Sequence, residues 1–319
     1  MLEKINRRNL IKSAAVIATG AVIPGLALAT VPQRRKRSIR IAHLTDTHVS
    51  AARHSAEGLA KCLKHVNAQK DKPDVIFFGG DLVSDSFGTP ADKVREQWSI
   101  FQKTLSENNT LPYKCCIGNH DVFGWNKERS KATGDEPLYG KNWAIQEMKI
   151  PGRYYSFDQA GWHFIILDSV FPRNGNTYFA KLDDEQFEWL KNDLEKTPEG
   201  TPVMVMSHIP IISFCTYFLR ENEKSGDWQV TGAWMHIDAR KIKNLFVQHK
   251  NVKLAISGHM HLIDRVDYVH TTYFCNGAVC GNWWRGPLDE FEPGYTIFNL
   301  YEDGSFEREI IPWGWVAGE

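Results

Sequence analysis

No excess of charge of either sign marks this sequence: Lys and Arg together number 38, and so do Asp and Glu. That balance excludes the broad basic surface that a nucleic-acid partner selects, so any phosphate must be met locally. Cysteine is scarce, with six among 319 residues, at positions 62, 115, 116, 215, 275 and 280. None forms a CxxC pair or a zinc-like spacing, which excludes a thiolate metal site. In an oxidising compartment Cys275 and Cys280 can pair, whereas Cys115 and Cys116 lie in an apolar, strand-like run where thiols pack as small hydrophobes. A long uninterrupted apolar stretch is also missing, as are solenoid repeats and low-complexity linkers. What remains, 42% hydrophobic and 24% charged residues, is the composition of a globular fold.

The first residues read as a targeting segment. Arg7 and Arg8 precede an apolar run from Ala14 to Ala29 that is broken by Gly20, Pro24 and Gly25 and ends in the small-x-small pattern Ala27-Leu28-Ala29. The run is too interrupted for a membrane span and resembles a twin-arginine export signal cleaved after Ala29, which predicts a periplasmic or extracellular protein with no transmembrane domain in its mature form. Its partner would be the twin-arginine export machinery, which carries folded cargo, often with metal aboard. An uncleaved anchor, assisted by Arg34-Arg35-Lys36-Arg37, is the alternative. Residues 1–37 are therefore assigned to signal and basic linker, and 38–319 to one catalytic domain.

From Ser38 onward, short apolar runs alternate with amphipathic stretches, a rhythm that predicts an α/β fold. Strands are expected at Ile39–Leu44, Val75–Phe78, Tyr113–Ile117, Pro202–Met206 and Val252–Ile256. A hairpin is expected from Arg153–Phe157 and Trp162–Leu167, turning at Gln159-Ala160-Gly161. Helical spacing covers Ala56–Gln69, Ala91–Leu105, Asp183–Leu194 and Asp238–His249, with Asp183 or Asp184 as a cap for the third. Val122–Tyr139 reads as irregular, and the tail from Ile263 to Glu309 as β-rich.

Five segments place metal-binding side chains immediately after an expected strand: Asp46-x-His48, Gly80-Asp81, Gly118-Asn119-His120-Asp121, Ser207-His208 and Gly258-His259-x-His261. The carboxyl ends of strands are where open α/β sheets bind ligands. The donors are oxygen and imidazole nitrogen with no sulfur, a set that suits two divalent ions such as Mn, Fe or Zn. Each segment alone is a common turn or cap, but together they fall in one order, and they take five of the twelve histidines.

In that order and context the sequence resembles the calcineurin-like metallophosphoesterases from about Arg40 to Asp264, with the β-rich tail resembling the end of the same domain. The resemblance implies a four-layer αββα sandwich, two mixed β-sheets flanked by helices, with a two-metal site at the strand ends. It implies that Asp46, His48, Asp81 and His261 hold one ion and Asp81, Asn119, His208 and His259 the other, with Asp81 bridging. It further implies that a metal-bridging hydroxide attacks the phosphorus of a phosphate ester, diester or monoester. His120 would then protonate the leaving oxygen, oriented by Asp121. The purple acid phosphatases carry a tyrosine three residues after the bridging aspartate and a glycine in the first motif. Ser84 and His48 stand at those places here, so the resemblance is closer to the cyclic-nucleotide-phosphodiesterase-like and general bacterial branches.

Trp283, Trp284 and Arg285 follow the expected strand Thr272–Val279. They either wall the cleft and hold substrate or pack as an aromatic edge beneath the tail. Against the enzyme stands a non-catalytic metal-binding scaffold of the same fold, an interaction protein like the retromer subunit. Such scaffolds lose ligands or the histidine of the third motif, and this chain keeps them all.

Overall fold

The computed structural model describes residues 35–173, 176–219 and 222–318. The expected export signal, with the cleavage site expected after Ala29, lies outside the described residues. Among the described residues, thirteen strands alternate with helices: β1 (Arg37–Leu44), β2 (Val75–Phe78), β3 (Tyr113–Cys115), β4 (Tyr155–Gln159), β5 (Trp162–Ile166), β6 (Val170–Arg173), β7 (Thr177–Ala180), β8 (Val203–Met206), β9 (Val252–Ser257), β10 (Val266–Tyr268), β11 (Thr271–Cys275), β12 (Gly294–Tyr301) and β13 (Phe306–Pro312). One sheet has the order β13-β12-β1-β2-β3 and the other β10-β11-β9-β8-β5-β4, while β6 and β7 form a separate hairpin. Both large sheets are mixed: β1, β2 and β3 run parallel, as do β5, β8, β9 and β11, while antiparallel pairing closes the β13 edge of the first sheet and both edges of the second.

The two-residue period of a strand explains the layering. On β1, Ile39 and Ile41 point into an apolar layer shared by both sheets with Phe77, Phe164, Met206, Ile256 and Phe298. Ala42 and Leu44, on the opposite face, meet the helices Ser55–Asn67 and Ala91–Asn108 through Leu59, Leu63, Val94, Trp98 and Phe101. The second sheet repeats the plan. Val205 and Ala255 face the helices Asp184–Lys196 and Ala239–Gln248 through Leu190, Leu194, Ile242 and Phe246. Fully burying each such Phe or Leu contributes about 1.5–3 kcal/mol. The result is the expected four-layer sandwich of two mixed sheets between helices.

Local signals act where the sequence places them. Asp183 is the cap of the helix Asp184–Lys196, its carboxylate accepting the N–H of Gln186 at 2.8 Å. The β4–β5 hairpin turns through Ala160 and Gly161, both at positive φ (52° and 80°), as a two-residue turn demands. The helix Asn142–Met148 and the β6–β7 hairpin are elements beyond expectation. The described chain is already engaged with the fold at its start: Arg35 bonds Ser305 and pairs with Glu307, and Arg37, within β1, donates to Asp71 at 2.7 Å. All six cysteines are buried thiols. Cys275 and Cys280 do not approach each other as a pair, because Cys275 packs with Met260 and Leu262 while Cys280 faces His261.

Candidate metal centre

Every expected donor segment follows a strand end at the same edge of the sandwich. Asp46 and His48 follow β1, Asp81 follows β2, Asn119 follows β3, His208 follows β8, and His259 and His261 follow β9. Backbone bonds knit these loops together: Asp46 N–H to Gly80 C=O, His48 N–H to Asp81 C=O and Gly258 N–H to His208 C=O, each at 3.0 Å. Close approach explains two of the glycines. A Cβ on Gly118 would lie 2.2 Å from Asp81 Oδ1, and one on Gly258 would lie 2.0 Å from Thr45 Oγ1 and 2.4 Å from Asp46 Oδ2.

The seven side chains converge in two lobes. His48 Nε2 and His261 Nε2 face each other at 3.1 Å, with Asp46 Oδ1 3.4 Å from His261 Nε2. In the second lobe His208 Nε2 lies 3.2 Å from both Asn119 Oδ1 and His259 Nδ1. Asp81 Oδ2 reaches both lobes, 3.1 Å from His208 Nε2 and 3.7 Å from His48 Nε2. Three imidazoles are aimed by their other nitrogen: His208 Nδ1 donates to Gly79 C=O at 2.8 Å, His261 Nδ1 to Gly281 C=O at 2.6 Å, and His259 Nε2 to Ala233 C=O at 2.9 Å. This outer-shell pattern fixes the tautomer and turns the free lone pair inward. Asp46, His48, Asp81, His259 and His261 all take positive φ, between 41° and 70°. For non-glycine residues that conformation stores of order 1–3 kcal/mol each and clusters at ligand-binding sites.

The donor chemistry fits divalent cations. Asp46 Oδ1 and His48 Nδ1 are buried without a hydrogen-bond partner. Burial opposes ionisation of Asp81, yet the neighbouring His208 and His120 hold its carboxyl well below the usual range. His208, whose charged form burial also opposes, is pushed up to about 9 by the Asp81 and Asp46 carboxylates. Burial and the charge of His208 drive His259 down to about 3, so it stays a neutral donor. Two buried carboxylates thus demand positive charge from between them, which two divalent cations supply.

His120 stands at the rim, its ring 5.0 Å from that of His48, and its own backbone N–H donates to Asp81 Oδ1 at 2.7 Å. Asp121 does not orient it. Both Asp121 oxygens accept backbone N–H groups, those of Asp81 and Leu82 at 2.8 Å and of Gly118 at 2.9 Å. Asp121 therefore shapes the loop that carries Asp81. The carboxylate facing His120 is Asp85, 3.8 Å from its Nδ1. Asp85 carries no motif signal beyond standing four residues past Asp81, and its own loop bonds to Phe87, Gly88 and Thr89 bring it round.

The aromatic loop divides between the two expectations. Trp283 lies on the centre, its ring 3.8 Å from that of His48, 5.0 Å from His120 and 5.6 Å from His261. Trp284 is buried, its Nε1–H donating to Thr47 C=O at 3.0 Å while its ring packs against Trp313 and Trp315. It is packing beneath the tail and not a substrate contact. Arg285 is exposed on the same loop.

Comparison with known proteins agrees with this geometry. The Calcineurin-like phosphoesterase family profile matches residues 39–262. The 3',5'-cyclic adenosine monophosphate phosphodiesterase CpdA of Escherichia coli K12 is 22% identical over 295 residues, covering 89% of this chain and 93% of its own. A probable glycerophosphodiester phosphodiesterase GpdQ from Arcobacter nitrofigilis is 24% identical, covering 70% of this chain and 72% of its own. A solved dimetal phosphatase from Danio rerio superposes with a TM-score of 0.62 at 13% identity, over 88% of this chain and 100% of its own, and so shares the fold. With more than half its length matched and its donor residues gathered at the strand ends, the chain belongs to the calcineurin-like phosphoesterases, metal-dependent hydrolases of phosphate esters.

Proposed function

We propose that this chain is an exported phosphodiesterase working with two divalent cations, Mn, Fe or Zn. The observation that carries the reading is Asp81 Oδ2, which addresses both histidine lobes at once. Asp46, His48, Asp81 and His261 would hold one cation, and Asp81, Asn119, His208 and His259 the other. When bound, the pair supplies charge neutralisation at phosphorus and an activated water as nucleophile. His120 donates a proton to the departing oxygen, and Asp85 holds the imidazole toward it. Trp283 offers an aromatic wall to the leaving group beside His48 and His120. The choice of a diester is supported by the names of both relatives, the cyclic-nucleotide and glycerophosphodiester enzymes.

The test is a rate survey of the metal-loaded protein on an aryl phosphomonoester, the matching linear diester and 3',5'-cyclic AMP. The diester or the cyclic nucleotide should have the highest kcat/KM. A monoester preference overturns the diester assignment, and metal bound without turnover on any ester returns the chain to the scaffold class.

Asp85→Asn isolates the positioning role. It should lower kcat by less than the roughly 10²–10⁴-fold worth of the general acid it positions, while both cations stay bound. The loss should be larger for alkyl than for nitrophenyl leaving groups. Loss of a cation in this variant would assign Asp85 to the metal shell instead.

Export is read from Arg7 and Arg8, which lie outside the described residues; among the described residues no helix is long and apolar enough to cross a membrane. Replacing both arginines by Lys should leave folded precursor in the cytoplasm. Undiminished export of that variant would remove the twin-arginine reading.

A further inference from the structure

Cys215 opens a 3-10 turn (Cys215–Leu219), and Cys275 ends β11, far away in sequence. Asp264 brings them together. One of its oxygens accepts the Ser213 hydroxyl at 2.8 Å and the N–H groups of Phe214 at 2.6 Å and Cys215 at 2.9 Å, and the other accepts the N–H of Cys275 at 3.1 Å. A disulfide needs Cα atoms about 4.4–6.8 Å apart. One carboxylate therefore holds the backbone of both cysteines, and their side chains meet in one cluster. Both side chains are buried in the same small cluster with Met260 and Leu262, Cys215 at 4% and Cys275 at 0% exposure. Cys280, the partner that spacing favours, belongs to a different layer, with its Sγ 3.5 Å from Gly281 C=O and 3.9 Å from His261 Nδ1.

We propose that Cys215 and Cys275 are a disulfide-forming pair that fastens the 215–219 turn to the end of β11, beside the loop carrying His259 and His261. The acceptor is a small or protein disulfide of an oxidising compartment. Cys215 lines a recess of about 340 Å³ with Phe214, Phe218, Leu262 and Phe291, and so is the sulfur an incoming disulfide meets. Its thiolate attacks one sulfur of the acceptor, giving a mixed disulfide and releasing the first thiol. Cys275 then attacks the Cys215 sulfur, the bond to the acceptor breaks, and the second thiol leaves. Two S–H bonds are lost and one S–S bond is formed. The chain gives up two electrons and two protons, and the acceptor disulfide is reduced to two thiols.

The bond has two local consequences. Phe214 and Phe218, 56% and 61% exposed, become fixed at the mouth of the recess. Cys275 also gives up the S–H that it donates to Gly258 C=O at 3.2 Å, so oxidation is felt one residue before His259.

The test uses the full chain, purified reduced, exposed to 2-hydroxyethyl disulfide, alkylated, digested and mapped by mass spectrometry. A cross-linked 215–275 peptide is expected, with an intact mass lower by two hydrogens and a higher Tm. Cys215→Ser and Cys275→Ser should lose the cross-link, and Cys280→Ser should keep it. A 275–280 peptide, a stable hydroxyethyl adduct on Cys215 alone, or full alkylation of both cysteines after oxidation of native and refolded protein would each overturn the proposal. The wild-type map decides the matter even where a variant fails to fold.

Discussion

Asp81→Asn should release both cations together and leave hydrolysis near the uncatalysed background. The substitution is nearly isosteric. Its remaining Oδ1 still accepts the His120 N–H, found at 2.7 Å in the native chain, and the left-handed backbone at φ 52° suits Asn at least as well as Asp. What changes is charge at the one oxygen shared between the lobes. Losing an outer-shell partner costs roughly 10–100-fold in metal affinity or activity, and a shared inner ligand should exceed that at both positions. Metal content by plasma mass spectrometry, measured beside kcat/KM, is the check. Two cations retained at wild-type affinity would mean that Asp81 does not bridge.

His120→Ala should do the opposite: keep both cations and lose turnover by roughly 10²–10⁴-fold, the usual worth of a general acid. The backbone bond from residue 120 to Asp81 survives the change, so the loop should hold its shape. The loss should follow the leaving group, being large for an alkoxide and small for a nitrophenolate that departs without a proton. Equal losses for both would make His120 a phosphate clamp, and a lost cation would make it a ligand. Asp121→Asn belongs to a different class of effect. Because its carboxylate accepts backbone N–H groups of the Asp81 and Gly118 loops, the substitution should perturb metal content and stability before it perturbs leaving-group dependence.

The central strands and the donors were legible because both obey short-range rules. An apolar run of strand length, such as Val75–Phe78, is interrupted by Gly79-Gly80-Asp81, and the break marks the strand end where ligands gather. The cap at Asp183 and the Ala160-Gly161 turn are equally local. What escaped depends on contacts between distant segments. Asp85 meets His120 only because its loop bonds to Phe87, Gly88 and Thr89 carry it back across the third motif. The resemblance pointed to Asp121 instead, yet its carboxylate turns under the end of β2 to accept the N–H groups of Asp81 and Leu82. Trp283 and Trp284, alike in sequence, part because consecutive left-handed residues (φ 53° and 67°) send one ring over His48 and the other under the tail.

The ligands are drawn from both halves of the sandwich in every lobe. Asp46 extends from the sheet of β1 and His261 from the sheet of β9; Asn119 extends from β3 and His208 from β8. A pair of cations there acts as a rivet through two plates, joining at their open edge sheets held together mainly by side chains meeting face to face. Occupancy at about 100 times Kd contributes about 2.7 kcal/mol of folding stability for each independent site. The loaded protein can therefore absorb a core substitution, such as the trimming of Phe164 or Met206 in the layer between the plates, that would melt the stripped one. Sequence drift in that layer is then tolerated to the extent that metal is supplied.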